Sequence, residues 1–187
     1  MKKIMISILI LSIMITSGCL GEKQIEGTYE VNYYGNNMLF NSNLEIAKDI
    51  KVMPNEQVLK ETLIGYEVVG IQFAYYQNDT EAAYYMKGLM PFASKYTKLN
   101  KIIWNYDITE HYTYTVLNST DDMPNATITE PAILLIGPAY TDETYIEVDN
   151  NIVKVYAADL TLRQGKYAQY TDYDLALDKI ILVLMNQ

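Results

Sequence analysis

Hydrophobic positions change their spacing several times along this chain, and each change marks an element. Ile4 to Ile15 is an almost unbroken apolar run, interrupted by Ser7 and Ser12. Thr28 to Tyr34 then carries β-branched and aromatic residues in an extended pattern, which predicts a strand. Gly35-Asn36-Asn37 is a turn signal, because Gly and Asn tolerate positive φ, and Met38-Leu39-Phe40 can return as the second strand of a hairpin. Pro54-Asn55-Glu56 starts a helix in which Val58, Leu59 and Leu63 follow at helical spacing and Gly65 stands at the end. Val68 to Tyr76 predicts a strand. Asn78-Asp79-Thr80 opens a helix through about Tyr96, with Ala82, Tyr85, Met86, Leu89 and Phe92 forming one apolar stripe. Pro91 is expected to kink that helix or end its first half.

Lys101 to Tyr106 predicts a further strand, so strand, helix and strand make a βαβ unit with a right-handed crossover. His111 to Leu117 alternates, with Tyr112, Tyr114 and Val116 on one face and His111, Thr113 and Thr115 on the other. A polar linker, Ser119 to Thr129, leads to Ala132–Ile136, a wholly apolar strand of the kind covered on both faces. Tyr145–Asp149 and Ile152–Tyr156 flank Asn150-Asn151, a two-residue hairpin signal. Thr171-Asp172-Tyr173-Asp174 has the form of a capping box, opening a helix from Leu175 to Met185. Its Ile180-Ile181-Leu182-Val183-Leu184-Met185 run is too apolar for a solvent face, so this helix is expected to be buried against the sheet. The pattern predicts a single α/β domain: a mixed sheet of six to eight strands with about three helices, including the buried C-terminal one.

The apolar run at the start belongs to something else. It is preceded by Met1-Lys2-Lys3 and stops at Thr16-Ser17-Gly18-Cys19, with Glu22-Lys23 close behind. A short basic start and an apolar h-region of about 7–15 residues make a secretory signal, whereas a membrane span takes about 20. The segment Ile15-Thr16-Ser17-Gly18-Cys19-Leu20-Gly21 resembles the lipobox of exported lipoproteins, and its Gly-Cys-Leu-Gly run looks most like archaeal examples. That resemblance implies cleavage before Cys19, lipid on its sulfur, and residence on the extracellular face of the cytoplasmic membrane. An uncleaved short anchor and a buried structural thiol are the competing readings of Cys19. The chain then divides into a signal peptide (1–18), a lipidated cysteine with its tether (19–27), and one globular domain (28–187). From Pro131 onwards, Pro-Ala-Ile-Leu-Leu-Ile-Gly-Pro, the Asn-Asn hairpin and the Asp-Tyr-Asp-Leu-Ala-Leu-Asp-Lys helix look like a unit of archaeal cell-surface and S-layer proteins. This second resemblance implies surface residence and no particular reaction.

Composition narrows the chemistry. The 187 residues include one Cys and one His and carry a formal charge of −9. One Cys excludes a disulfide within the chain and any Cys-based zinc or iron–sulfur centre, and one His excludes the multi-His metal sites. The acidic balance argues against nucleic acid, whose binding rests on Lys and Arg neutralising phosphates. Loss of Lys2 and Lys3 with the leader leaves twelve basic against 23 acidic residues, a mature charge of −11. Such a body is repelled by anionic headgroups and stands off the membrane that holds it. Asn78, Asn118 and Asn125 each begin an Asn-x-Ser/Thr sequon, compatible with glycosylation outside the cell.

Candidate reactive groups are few, and no cofactor motif is present. His111 could serve as a general base, but no Gly-x-Ser-x-Gly nucleophile accompanies it. Asp172, Asp174 and Asp178 cluster, with Asp142 and Glu143 in an earlier loop, yet the spacing lacks the Gly turn and distal Glu of an EF-hand. Capping already explains two of them. Gly137-Pro138 follows a strand, but with one Gly and no Lys it reads as a sharp turn rather than a phosphate loop. The 18 Tyr are the unusual feature, several of them paired. Tyrosine buries a large ring while its hydroxyl finds a partner, and so suits both half-buried sheet positions and binding surfaces. Tyr76 and Tyr140 lie just past the carboxyl ends of strands, where open α/β sheets bind ligands, and they are the candidate ligand-binding residues.

Two functions from different classes remain open: an interaction or envelope-assembly role at the cell surface, and a binding module for a small solute or glycan. An enzyme is the less favoured third. Mass spectrometry of the membrane-extracted protein is expected to show a chain that begins at a lipid-modified Cys19. An intact Met1, or an unmodified Cys19 thiol, would remove the anchor.

Overall fold

The computed structural model describes residues 27–76, 82–105 and 111–186, without the side chains of residues 82–86. A hairpin comes first: β1 (Glu30–Tyr33) pairs antiparallel with β2 (Asn36–Leu39) as a sheet of its own. The turn is Tyr34-Gly35, both at positive φ, one residue earlier than the sequence suggests, and Asn36 and Asn37 belong to β2. Asn32 sets this turn, since its Oδ1 accepts from the Gly35 N–H at 3.2 Å and its Nδ2 donates to Asn37 at 2.8 Å.

Six strands form the main sheet: β3 (Lys51–Met53), β4 (Ile71–Tyr76), β5 (Tyr112–Leu117), β6 (Ala132–Ile136), β7 (Tyr145–Asp149) and β8 (Ile152–Tyr156). Their order is β3-β7-β8-β6-β4-β5. Strands β4, β5, β6 and β8 run parallel, and the β7–β8 hairpin turns β7 and its parallel neighbour β3 the other way. Asn150 and Asn151 make that hairpin at φ of 48° and 65°, the conformation that Asn enters more readily than most residues. A short pair, β9 (Arg163–Gln164) with β10 (Gln169–Tyr170), stands apart.

Among the described residues there are four helices: α1 (Leu44–Lys48), α2 (Glu56–Ile64), α3 (Ala82–Trp104) and α4 (Asp172–Leu184). The expectation of about three missed α1, whose five residues are too few for a periodic signal; the Asn43 side chain caps it by accepting from the Glu45 N–H. All four pack on one face of the sheet. Leu44, Leu59, Leu63, Phe92 and Tyr96 join Phe73, Ile133, Leu135, Val153 and Val155 in a single core around α4. The other face holds a smaller cluster of Ala74, Ala132, Leu134, Ile136 and Ile152, against which Ala126 and Tyr156 pack. β6 is buried at all five positions, as its unbroken apolar run requires.

One expectation fails. Lys101 to Asn105 is not a strand (Tyr106 lies outside the described residues): α3 runs through Pro91 to Trp104, and Asn105 ends it in the left-handed conformation. Ile102-Ile103-Trp104 reads as a strand by β-propensity alone, but Phe92, Tyr96, Leu99 and Ile103 continue one helical stripe into the core. The βαβ unit is real with a later third member, β4–α3–β5, whose two strands pair in parallel. The predicted opening of α3 at Asn78 to Thr80, and the leader with Cys19, lie outside the described residues.

Every residue of α4 is buried, its charged side chains included. Asp178 forms an ion pair with Lys95 of α3 at 3.0 Å and accepts from the Ser42 hydroxyl at 2.5 Å. Lys179 donates to the Lys48 carbonyl at 2.8 Å and meets Glu56 at 2.5 Å. Asp174 closes the capping box by accepting from the Thr171 N–H at 2.8 Å, and burial holds its carboxyl above the usual range. Asp178→Ala strands the Lys95 ammonium and is expected to cost about 3–5 kcal/mol in denaturant unfolding, against much less for the double replacement Lys95→Met/Asp178→Leu. Equal losses from the two would show that the pair is incidental.

Candidate functional site

Tyr76 and Tyr140 do meet. Their rings lie 5.5 Å apart at an interplanar angle of 60°, at the carboxyl ends of the parallel strands. Tyr76 is buried, its hydroxyl reaches the Thr120 carbonyl at 3.4 Å, and burial with Tyr140 beside it raises its pKa. Tyr140 is exposed, and its N–H closes the Gly137-Pro138 turn on the Gly137 carbonyl at 3.0 Å. The pair packs as an edge-to-face contact and lines none of the four cavities described for the molecule.

His111 lies at the opposite, amino-terminal end of β5, beside a polar cavity of about 180 Å³ lined by Gly70, Gln72, Thr113, Asn125 and Glu130. Asn125 and Asn118 are exposed, and Asn78 lies outside the described residues. The acidic residues of α4 do not converge on a shared point. Asp172 accepts from the Thr144 hydroxyl at 2.5 Å and from the Asp159 N–H at 3.2 Å, and pairs with Arg163. Asp174 is spent on its cap and Asp178 on Lys95. Asp142 and Glu143 sit in a turn where the Glu143 N–H donates to Thr141.

The feature that the sequence did not single out is the edge of the sheet at β5. No described strand lies beyond it. The Ile71 N–H donates to the His111 carbonyl, and successive residues of a strand face opposite neighbours. The N–H and C=O groups of Tyr114 and Val116 therefore point outward, away from β4. The strand Tyr-Thr-Tyr-Thr-Val-Leu has no charge, no Pro and no bulge, and Tyr114 and Val116 are each 47% exposed. The far edge of the same sheet is built differently: β3 has three residues, begins with Lys51 and is followed directly by Pro54.

A groove of about 440 Å³ runs between β5 and α3, lined by Met90, Ala93, Ser94, Thr97, Lys98, Tyr112 and Tyr114. Its floor is rigid. The Tyr112 and Tyr114 rings stack on Phe73 at 5.7 and 5.6 Å. Tyr112 donates its proton to the Ala93 carbonyl at 3.0 Å, so the Thr97 hydroxyl is the donor in its 2.5 Å contact with Tyr112. Helix and edge strand are thereby fastened while the groove between them stays open. An alternating Tyr/Thr run can be read from sequence; that it ends the sheet depends on where β6 enters, which no local signal carries.

Compared with models of known protein families, with curated proteins and with solved structures, the chain matches none. Tyr112→Phe removes the hydroxyl that ties β5 to α3 and is expected to cost about 1–2 kcal/mol in chemical unfolding. An unchanged midpoint would show that the tie contributes nothing.

Proposed function

We propose that this chain is a lipid-anchored protein of the cell surface whose role is to dock another polypeptide in the envelope. The observation that carries the reading is the β5 edge, which is long, uncharged and bordered by an apolar groove with stacked aromatic walls. Proteins guard such edges with charge, Pro, brevity or cover, because exposed rows of N–H and C=O groups are templates for pairing. Brevity, a lysine and a proline guard β3, and among the described residues none of these guards appears at β5. An edge left in that state suits strand addition, in which main-chain hydrogen bonds supply affinity and flanking pockets supply selectivity. The leader and the lipobox-like run at Cys19 support a surface address, and the acidic body supports a protein partner over nucleic acid.

A solute or glycan module is supported less well. The candidate aromatic pair, Tyr76 with Tyr140, lines no described cavity, and the α3–β5 groove has no carboxylate among its described lining residues.

Val116→Cys places a reporter thiol beside the open β5 edge, on the sheet face it shares with Tyr112 and Tyr114, and Lys51→Cys places one at the guarded edge. On intact cells, a maleimide–benzophenone reagent attached to the introduced thiol and then irradiated, which inserts into C–H bonds of any neighbouring chain, is expected to join the first variant to another polypeptide and to leave the second unjoined. Equal joining at both positions, or none at Val116→Cys, would overturn the docking reading.

A further inference from the structure

The occupant of the β5 edge has a recognisable chemistry. Helix α3 carries Lys87, Lys95, Lys98 and Lys101 and no acidic residue over its whole length, in a chain whose net charge is −9. Lys95 is turned inward and spent on Asp178. The other three are exposed, and none appears in an ion pair among the described residues. Residues 87, 98 and 101 fall within about 60° of one another around a helix that advances 100° per residue. They form one stripe, together with Ser94 and Met90, the latter 64% exposed. Lys98 itself lines the groove beside Tyr112 and Tyr114.

The geometry points to an extended, acidic segment of another polypeptide that adds to β5 as a seventh strand and lays its carboxylates along the α3 lysines. This rests on the docking reading above and gives it a partner. A strand added outside β5 would exchange hydrogen bonds with the outward groups of Tyr114 and Val116. Alternate side chains of that strand would stand over the groove, on the face that α3 covers, within reach of Lys98. Lys87 also acts electrostatically on Asp174, but Lys98 and Lys101 stand outside every described ion pair, and such positive charge on an otherwise acidic body both attracts an anionic segment and rejects a cationic one.

Two other occupants fit less well. A second copy pairing antiparallel through β5 would set both helices on one face of the joined sheet, with two lysine stripes flanking the seam and no carboxylate among the described residues that line the groove between them. An anionic bilayer would satisfy the lysines and leave the strand's N–H and C=O groups unpaired, which is costly wherever water is excluded.

The test uses the full chain in neutral detergent and two labelled peptides, one alternating Val and Glu, the other Val and Lys. Fluorescence anisotropy should show binding of the Glu peptide that weakens with added salt, and no binding of the Lys peptide. Val116→Pro removes an outward N–H without touching a β4–β5 bond, a place where edge strands accept Pro; it should weaken the Glu peptide about tenfold or more. Lys98→Glu should weaken it about threefold to tenfold, the range of an exposed charge contact doubled by reversal. Circular dichroism melts confirm that both variants fold. If both peptides bind alike and Val116→Pro weakens both, the edge docks strands but the acidic partner is wrong. If neither peptide binds while the chain self-associates in ultracentrifugation and Val116→Pro abolishes it, the occupant is a second copy and the acidic partner is again wrong. Binding to phosphatidylglycerol vesicles that Lys98→Glu weakens and Val116→Pro leaves alone, with no peptide binding, would assign the stripe to lipid. No binding and no self-association would overturn docking and partner together.

Discussion

Helix α4 occupies the middle of the molecule and has no outward face, so each charge it carries must find its partner inside the protein. Thirteen consecutive residues are buried there, among them Asp172, Asp174, Asp178 and Lys179. Burying one large aliphatic side chain yields about 1.5–3 kcal/mol, whereas one buried charge without a partner costs more than that. The apolar residues of α4 can therefore hold the core together only if the polar ones are answered. They are answered by different parts of the chain: Ser42 and the Lys48 carbonyl, Glu56 at the start of α2, Lys95 in the middle of α3, and Thr144 and Arg163 around the last strands. An apolar pair in place of Lys95 and Asp178 would rival their energy. The ion pair adds a register, since it is met at one rotation of α3 against α4.

That register reaches the candidate site. With Lys95 drawn inward, the residues two positions away on either side, on the opposite face of the helix, are carried toward the sheet edge: Thr97 and Ala93 meet the Tyr112 hydroxyl, and Lys98 comes to the rim of the groove. The α3 lysines thus divide into one that holds the helix in place and three that remain at the surface. An internal constraint of the core fixes which charges the protein presents beside β5.

How far these relations can be read from sequence depends on their range. The Asn150-Asn151 hairpin, the capping box at Thr171 and the apolar β6 are legible because each is dictated within a few residues. The end of α3 misleads for the opposite reason: Ile102 and Ile103 favour a strand locally, and only the core that receives Leu99 and Ile103 makes them helical. Tyr76 and Tyr140 were placeable together because strand-end positions of a parallel sheet share one side, and the structure joins them as a packed ring contact. The β5 edge was not legible at all. Its alternating residues are equally suited to an interior strand, and edge status is decided by β6 entering on the other side of β4.

The two ends of the main sheet then pose one physical problem with two answers. Strand edges invite pairing, and at β3 the invitation is withdrawn by brevity, a lysine and a proline. Strand β5 is twice as long, and its outward residues are Tyr and Val, side chains with high strand preference and no charge. Leaving such an edge bare exposes the whole protein to indiscriminate pairing. The lysine stripe of α3 supplies what β5 itself lacks, a charge filter set to one side of the strand, so that admission depends on the incoming segment's sign. Selectivity placed on the helix leaves the strand free to be a good template, and neither feature alone would give both affinity and choice.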